Sequence, residues 1–132
     1  MSSTDPTTDP TTDPIAAYGA AWLEPDESRR RLLLETAWAP DAVYCDPLTQ
    51  LAGRDALSAH IAATQAQLAG GTIAVVSEPV RHHDSAFFRW SMADAAGSPL
   101  LSGWDVVQLD DAGRIARLTG FFDADTDRRD HP

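Results

Sequence analysis

The stretch that decides the fold is Gly103-Trp104-Asp105-Val106-Val107-Gln108-Leu109. Its side chains alternate between two faces, as they do in a β-strand. Asp105 shares one face with aliphatic Val107 and Leu109, whereas Trp104 lies on the opposite face. A carboxylate among aliphatic neighbours is costly to bury unless it is partnered or protonated. Asp105 is therefore expected either at a wet rim or in a pocket that uses it.

Composition indicates one soluble domain with a sizeable core. The chain has 132 residues, 43% of them hydrophobic, and no apolar run approaches the roughly 20 residues of a membrane span. The N-terminus opens with Ser, Thr, Asp and Pro and lacks the pattern of a signal peptide, so we expect a cytoplasmic protein. The formal net charge is −10, which argues against nucleic acid and anionic membranes as partners.

Cysteine and histidine usage argues against a disulfide or a metal site. Cys45 is the only cysteine in the chain, and a lone cysteine in an apolar run is more often a packed residue than a nucleophile. His82 and His83 adjoin a turn, and because consecutive strand residues face opposite ways, both are not expected to enter one cavity; no third ligand has suitable spacing. We expect no metal and, because no Gly-rich phosphate motif is present, no nucleotide or other cofactor.

Both ends of the chain are predicted to be tails outside the domain. Ser-Thr-Asp-Pro is followed by two copies of Thr-Thr-Asp-Pro, and this run has no apolar residue to bury. Residues 1–13 are therefore predicted to be a disordered acidic tail, and residues 124–132 a polar C-terminal tail. The last repeat has a second role, since Asp13 can cap a helix and Pro14 suits its first position.

Three helices are predicted in the first half of the domain. They cover residues 14–23, residues 27–38, capped by Asp26 and ended by Pro40, and residues 54–68, opened by Gly53. The triplet Arg29-Arg30-Arg31 is interpreted as a solvated face of the second helix. In the third helix, His60 lies in an apolar stripe, where a buried structural histidine and a pocket histidine are both compatible with the pattern.

Strands dominate the second half. A short strand over residues 41–46 ends at Pro47, and after residue 72 the pattern alternates over residues 72–80, 85–93, 100–109 and 114–122. The fold class is therefore α+β: a cone-shaped roll in which three N-terminal helices pack on a strongly curved, mainly antiparallel sheet and enclose a pocket. The concave face of the sheet and the apolar stripes of the first and third helices would line that pocket.

These segments resemble the nuclear transport factor 2-like superfamily, with the closest similarity to its bacterial SnoaL-like and ketosteroid-isomerase-like members. The resemblance covers about residues 14–123 and is carried by Tyr18, residues 38–47, residues 53–57, Gly103-Trp104-Asp105, Gly113-Arg114-Ile115 and Gly120-Phe121-Phe122. The superfamily contains isomerases, cyclases and non-catalytic binders, so the resemblance is more specific for the fold than for the activity.

The resemblance implies catalytic roles for three residues. Tyr18 is similar in position to the oxyanion-hole tyrosine of the steroid isomerases, Asp46 to their general-base aspartate, and Asp105 to their protonated oxyanion-hole aspartate. Such a site removes a proton next to a carbonyl and stabilises the enolate that forms. His60 departs from the apolar residue usual there, and together with Asp46 or Asp105 it would form an acid–base pair.

Each of these residues also has a structural interpretation that the sequence leaves open. Asp46 could cap the turn at Pro47, Asp105 could hydrogen-bond His60 or a water, and Tyr18 could be a core aromatic. The predicted substrate pocket is lined further by Trp22, Leu57, Ile61, Phe88, Trp90, Gly103, Leu118 and Phe122.

Two functions follow from the predicted pocket. The first is proton transfer on a mostly apolar carbonyl compound, of the isomerase or cyclase type. The alternative is a non-catalytic ligand-binding or dimerisation module of the same fold. Trp104 faces away from the pocket, and members of the superfamily often pair through that sheet face, so the resemblance implies a homodimer.

Overall fold

Three helices and seven strands make up the computed structural model, which describes residues 13–123. The two predicted tails lie outside the described residues, apart from Asp13. The elements in chain order are α1 (Pro14–Leu23), α2 (Glu27–Ala37), β1 (Trp38–Asp46), β2 (Thr49–Ala52), α3 (Arg54–Leu68), β3 (Thr72–Val75), β4 (Val80–His82), β5 (Ser85–Ala93), β6 (Pro99–Leu109) and β7 (Ile115–Phe122).

The strands form one sheet in the order β2-β1-β7-β6-β5-β3, with β4 added beside β5. All neighbouring pairs are antiparallel except β1 and β7, which run parallel. The sheet is curved and not closed, and the three helices pack on it. The α+β class and the helix-on-curved-sheet architecture predicted from the sequence are confirmed.

Local capping explains where the helices begin and end. The Asp13 carboxylate accepts a hydrogen bond from the Ala16 amide at 3.0 Å, and the Asp26 carboxylate accepts one from the Arg29 amide at 2.9 Å. The third helix ends where Ala69 turns to a left-handed φ of 50°. Both predicted N-caps are therefore confirmed.

The segment around Pro40 differs from the prediction. The second helix ends at Ala37, and Trp38 already begins β1, so Pro40 lies inside a strand. Proline cannot donate to a ladder, and it is accommodated here because the register between β1 and β7 shifts between Trp38 and Val43.

Two further strand boundaries differ. The four-residue strand β2 is not predicted, since its short run Thr-Gln-Leu-Ala has too few residues to show a period. The predicted strand over residues 72–80 is two strands, β3 and β4, with residues 76–79 between them. There the Ser77 hydroxyl accepts the Arg89 amide at 2.8 Å, so a side chain completes the ladder beside Pro79.

Arg30 contradicts the interpretation of the arginine triplet as a solvated face. It is only 3% exposed. Its Nε donates to the Ser58 hydroxyl at 3.0 Å, and its Nη1 donates to the carbonyls of Glu24 and Pro25 at 2.9 and 3.4 Å. A cation is favourable at these carbonyls because the C-terminal end of α1 carries partial negative charge. Arg30 therefore ties the first helix to the third.

The alternation predicted for β6 is confirmed by burial. Gly103, Asp105 and Val107 are buried on the inner face, while Val106 on the outer face is 40% exposed. The core under the helices includes Ile15, Leu34, Trp38, Leu57, Ile61, Phe88, Ile115 and Leu118, all nearly inaccessible to solvent. Among residues 13–123, no helix combines the length and apolarity needed to cross a membrane.

Candidate active site

A cavity of about 400 Å³ lies between α1, α3 and the inner face of the sheet. Space of this size would hold roughly a dozen water molecules. All four side chains considered as acid, base or oxyanion donors line it: Tyr18, Asp46, His60 and Asp105. The sequence does not determine on which face of the sheet the Asp46 side chain lies, because a register shift of one residue in a short strand moves each side chain to the opposite face. In the structure, Asp46 is part of the cavity wall.

Three of the eight other predicted pocket residues also line the cavity, namely Trp22, Trp90 and Phe122. Four do not, because they are packed in the core beside it: Leu57, Ile61, Phe88 and Leu118. Gly103 is absent from the wall as well, and its role is to make room. A Cβ atom there would lie 2.7 Å from the Trp90 ring and 1.9 Å from the Phe121 carbonyl oxygen.

The third helix presents a different stripe to the cavity than the sequence predicted. Its lining residues are His60, Ala63, Thr64 and Gln67, which follow the i, i+3, i+4, i+7 spacing of one helical face. Leu57 and Ile61 lie on the adjacent face and point into the core. His60 belongs to the edge of the apolar stripe rather than to its centre, which explains why it reaches the cavity.

Asp105 is a buried carboxyl group without a hydrogen-bond partner among the described residues. It is 7% exposed and lines the cavity. Burial, with a smaller contribution from the charge of Asp46, raises the pKa of Asp105 to about 7. A substantial fraction of the molecules therefore carries a proton on Asp105 at neutral pH, and that proton has no acceptor within the described fold.

Gly120 on β7 allows the two carboxyl groups to come close. A Cβ atom at this position would lie 2.9 Å from Asp105 Oδ1 and 3.4 Å from Asp46 Cβ. Gly120 faces Asp105 across the β6–β7 ladder. Any larger residue would displace the Asp105 carboxyl, so this glycine is part of the site although it has no side chain to offer.

Asp46 is held by three hydrogen bonds. Its Oδ1 accepts the amides of Leu48 and Thr49, each at 2.8 Å, and its Oδ2 accepts the Tyr44 hydroxyl at 2.6 Å. The carboxylate therefore caps the β1–β2 turn, as its structural interpretation predicted, and lines the cavity as well. Burial, and then the hydrogen bond to Asp46, raises the pKa of Tyr44 far above its usual value, so Tyr44 stays a donor.

His60 is a half-buried imidazole packed between aromatic rings. Its ring centroid lies 5.7 Å from that of Trp22, edge to face, and 5.3 Å from that of Tyr44. Burial lowers the pKa of His60, and the charge of Asp46 opposes this shift. Because its pKa is lowered, the ring is mostly uncharged at neutral pH. The ring also makes no hydrogen bond to the residues described, so one nitrogen is free to accept a proton.

Tyr18 combines a core ring with a place on the cavity wall. The ring stacks on Trp38 at 5.8 Å between centroids and meets Phe88 at 6.3 Å. Burial, with a further contribution from Asp105, raises the pKa of Tyr18 well above its ordinary value. Its hydroxyl is therefore a proton donor across the physiological range.

Tyr44 is the most important site residue that sequence reasoning missed. The available signal was its place two residues before Asp46 on one strand, which puts both side chains on one face. The other lining residues that were not predicted are Gly19, Leu48, Thr49, Ala63, Gln67, Ile73, Ala74, Val75, Met92 and Leu101. Within the described part of the chain, no group of three metal-ligating side chains is brought together.

A family model and a solved structure both place similarity to this chain in the same family. A family model described as a SnoaL-like domain matches residues 15–118. A solved structure from Agrobacterium tumefaciens, a candidate isomerase of the SnoaL-like family, is 36% identical, with 83% of this chain and 93% of that one covered and a TM-score of 0.77. No curated protein matches this sequence.

Two more distant structures are similar in fold. A candidate polyketide cyclase from Sinorhizobium meliloti is 24% identical over 82% of this chain and 93% of its own, with a TM-score of 0.63. An NTF2-like protein of unknown function from Exiguobacterium sp. 255-15 is 20% identical over 89% and 98%, with a TM-score of 0.60.

Proposed function

The chain belongs to the SnoaL-like family, and from this premise we propose that it catalyses proton transfer on a mostly apolar carbonyl compound. The reaction would be of the isomerase or cyclase type and would take place in the cavity between α1, α3 and the sheet. The observation that carries the proposal is the convergence of Tyr18, Asp46, His60 and Asp105 on one cavity wall.

Asp105 and Tyr18 would stabilise the carbonyl oxygen as it gains charge. Asp105 retains a proton near neutrality and has no acceptor within the described residues, and the raised pKa of Tyr18 keeps its hydroxyl protonated. Two donors in a buried site stabilise a developing enolate more than they stabilise the neutral carbonyl. This asymmetry is what lowers the barrier.

The base that removes the proton would be His60 or Asp46. His60 has an unoccupied ring nitrogen and is mostly neutral, whereas both oxygens of Asp46 already accept hydrogen bonds. We therefore favour His60, with Asp46 as the other candidate. The proton leaves the carbon beside the carbonyl, and its bonding electrons pass to the carbonyl oxygen. The enolate then regains a proton at another carbon, or its carbon attacks a second carbonyl.

The relatives support the same class of chemistry. One of them is described as a candidate isomerase and another as a candidate polyketide cyclase. An isomerase that moves a double bond and a cyclase that joins carbon to a carbonyl can both begin by forming an enolate. The shared first step fits the acid and base groups of this cavity.

A non-catalytic binding module is the second candidate, and one observation favours it. The three hydrogen bonds to Asp46 give this residue a complete structural role in the β1–β2 turn. The cavity would then hold a small apolar molecule without changing it.

A homodimer is proposed with either function. The outer sheet face carries an apolar patch made of Phe87, Trp104, Val106 and Phe121. Phe87 and Phe121 are 39% and 50% exposed, which is unusual for large aromatic side chains in an isolated monomer. A second copy of the chain covering this patch would remove it from water.

Exchange of the protons next to the carbonyl with deuterium distinguishes the two functions. Small enones and aromatic ketones are incubated with the protein in D₂O near pH 7, and NMR follows the loss of the proton signal. Catalysis predicts exchange faster than in buffer, and His60→Gln or Asp105→Asn should slow it by about 100-fold or more.

Asp55→Asn is the matched control for these variants. It removes a carboxylate from α3 whose side chain is 84% exposed, outside the cavity, so the exchange rate should not change. Compounds that bind and stabilise the protein without any accelerated exchange would refute catalysis and favour the binding module.

A further inference from the structure

We infer that the cavity accepts uncharged carbonyl compounds and rejects carboxylates of the same size and shape. This inference concerns the ligand of the site and rests on the proposed function only in using the same cavity. It follows from how charged side chains are distributed between the cavity and the rest of the described fold.

The charged side chains on the cavity wall are acidic. Asp46 and Asp105 line the cavity together with His60, whose lowered pKa leaves it mostly uncharged at neutral pH, and no arginine of residues 13–123 lines it. The chain contains no lysine at all. A bound anion would therefore find two carboxyl groups and no cation among the described lining residues.

Several arginines of the described fold are held by partners outside the cavity. Arg89 pairs with Asp123 at 2.6 Å and lies over the Trp104 ring on the outer sheet face. Arg81 contacts Asp13, Arg31 pairs with Asp55, and Arg30 binds the carbonyls at the end of α1. None of these groups can turn into the cavity without giving up its present partners.

Burial makes this charge distribution selective. A carboxylate that enters the cavity loses water, and a buried charge is strongly unfavourable unless it is paired. It would also lie near Asp46 and Asp105; burial, and then the charge of Asp46, already raises the pKa of Asp105. Like charges at close range in a partly dry site repel far more than in water.

An uncharged carbonyl meets the opposite situation. Asp105 offers a proton that has no acceptor within the described residues, and a ketone or amide oxygen can accept it. The rest of the wall supplies apolar surface from side chains such as Ile73, Met92, Leu101 and Phe122. The polar end of the ligand would lie against Asp105, which is buried, and its apolar body would extend towards the exposed Leu48.

Three nearly isosteric compounds separate charge from polarity and size. 2-Acetonaphthone, 2-naphthamide and 2-naphthoate share one ring system and have the same number of non-hydrogen atoms. Their affinities for the full-length protein are measured by isothermal titration calorimetry near pH 7. The ketone and the amide should each bind at least about tenfold more tightly than the carboxylate, which corresponds to about 1.4 kcal/mol.

A charge-removing variant then tests where the selection arises. Asp105→Asn keeps the shape of the side chain and removes its charge, so it should reduce the ratio of the affinities for the amide and the carboxylate. Asp55→Asn, on the exposed side of α3, should leave this affinity ratio unchanged. Circular dichroism verifies that both variants are folded. If Asp105→Asn does not fold, the ratio of the wild-type affinities for the uncharged compounds and the carboxylate still tests the inference.

The outcomes are distinguishable. Equal binding of all three compounds would overturn the charge inference while leaving proton transfer open to the deuterium experiment. Binding of the ketone alone would show that apolarity and not charge decides, and would also overturn the inference. Tighter binding of the carboxylate would refute it directly.

Discussion

Asp105 combines a destabilising burial with a proposed chemical role. It lies on the inner face of β6 and has no hydrogen-bond partner among the residues described. A side chain of this kind costs stability when it is ionised, since it is only 7% exposed and no counter-charge among the described residues compensates it. Proteins tolerate such groups mainly where a site uses them, and the position of Asp105 on the cavity wall agrees with the role proposed for it.

The pH dependence of stability should report this residue. The pKa of Asp105 is raised from 3.8 to about 7 in the folded chain, so between these values the folded state holds a proton that the unfolded state releases. Stability from this group is complete below about pH 4 and is lost as the pH rises through 7. From pH 5 to pH 8, the free energy of unfolding of the wild type should fall by roughly 2–3 kcal/mol relative to that of Asp105→Asn.

Urea denaturation of both proteins at the two pH values measures this difference. Comparing the two curves cancels the contributions of other titrating groups. A difference between wild type and Asp105→Asn that does not depend on pH would show that the carboxyl is ionised throughout and would exclude it as a neutral donor.

At the scale of elements, the orientation of α3 and the capping of α1 determine the site. The face of α3 that carries His60 and Gln67 lines the cavity, while the face of Leu57 and Ile61 packs on the core. The C-terminal carbonyls of α1 are covered by Arg30 from α2 and by Gln65 from α3. These contacts fix α1, which carries Tyr18, relative to α3, which carries His60.

Arg30→Ala should therefore weaken the joint between the helices. It removes hydrogen bonds to Ser58, Glu24 and Pro25, and the one to the buried Ser58 hydroxyl is itself buried. Hydrogen bonds from a charged donor are worth about 1.5–3 kcal/mol, so we expect a loss of roughly 2–4 kcal/mol in the free energy of unfolding. Urea denaturation at one pH gives the value.

Arg29→Ala is the matched control, since Arg29 is the exposed neighbour in the same helix. The free energy of unfolding of Arg29→Ala should differ from that of the wild type by no more than about 0.5 kcal/mol, as for ordinary surface substitutions. If the two variants lost equal stability, the buried hydrogen bonds of Arg30 would contribute nothing specific.

For the whole molecule, the two faces of the sheet have different tasks. The inner face forms the core and the floor of the cavity, and the outer face carries the patch of Phe87, Trp104, Val106 and Phe121. The Phe87 and Trp104 rings meet at 5.4 Å, and Phe121 lies opposite Trp104 in the ladder. This continuous aromatic surface is suited to an isologous contact between two copies.

Mass in solution should report the dimer. Light scattering coupled to size exclusion should give the wild type twice the 14.2 kDa mass of one chain. Phe121→Arg places a charge in the middle of the patch and should raise the dissociation constant at least about tenfold, because a buried unpaired charge is strongly unfavourable.

Leu32→Arg is the control for this substitution. Leu32 is 63% exposed on α2, away from the outer sheet face, and the variant should remain a dimer. A wild type that is monomeric at every concentration would refute the proposed homodimer.

Local patterns predicted the parts of this molecule that depend on neighbouring residues. The caps at Asp13 and Asp26, the bounds of α3 and the alternation of β6 all follow from side chains a few residues apart. The likeness of Tyr18, Asp46 and Asp105 to a known family selected residues that line the cavity. The caps, the bounds of α3 and the alternation of β6 do not depend on distant segments of the chain.

Contacts between distant segments decided the remainder. Arg30 is buried because Ser58, 28 residues away, and the end of α1 enclose it. Leu57 and Ile61 leave the cavity wall because the rotation of α3 is set by packing against the core, and Gly120 serves the site only because β7 pairs with β6. Sequence periodicity records which residues share a face, but which face meets the cavity depends on the relative placement of helices and sheet, and that placement is a property of the packed chain alone.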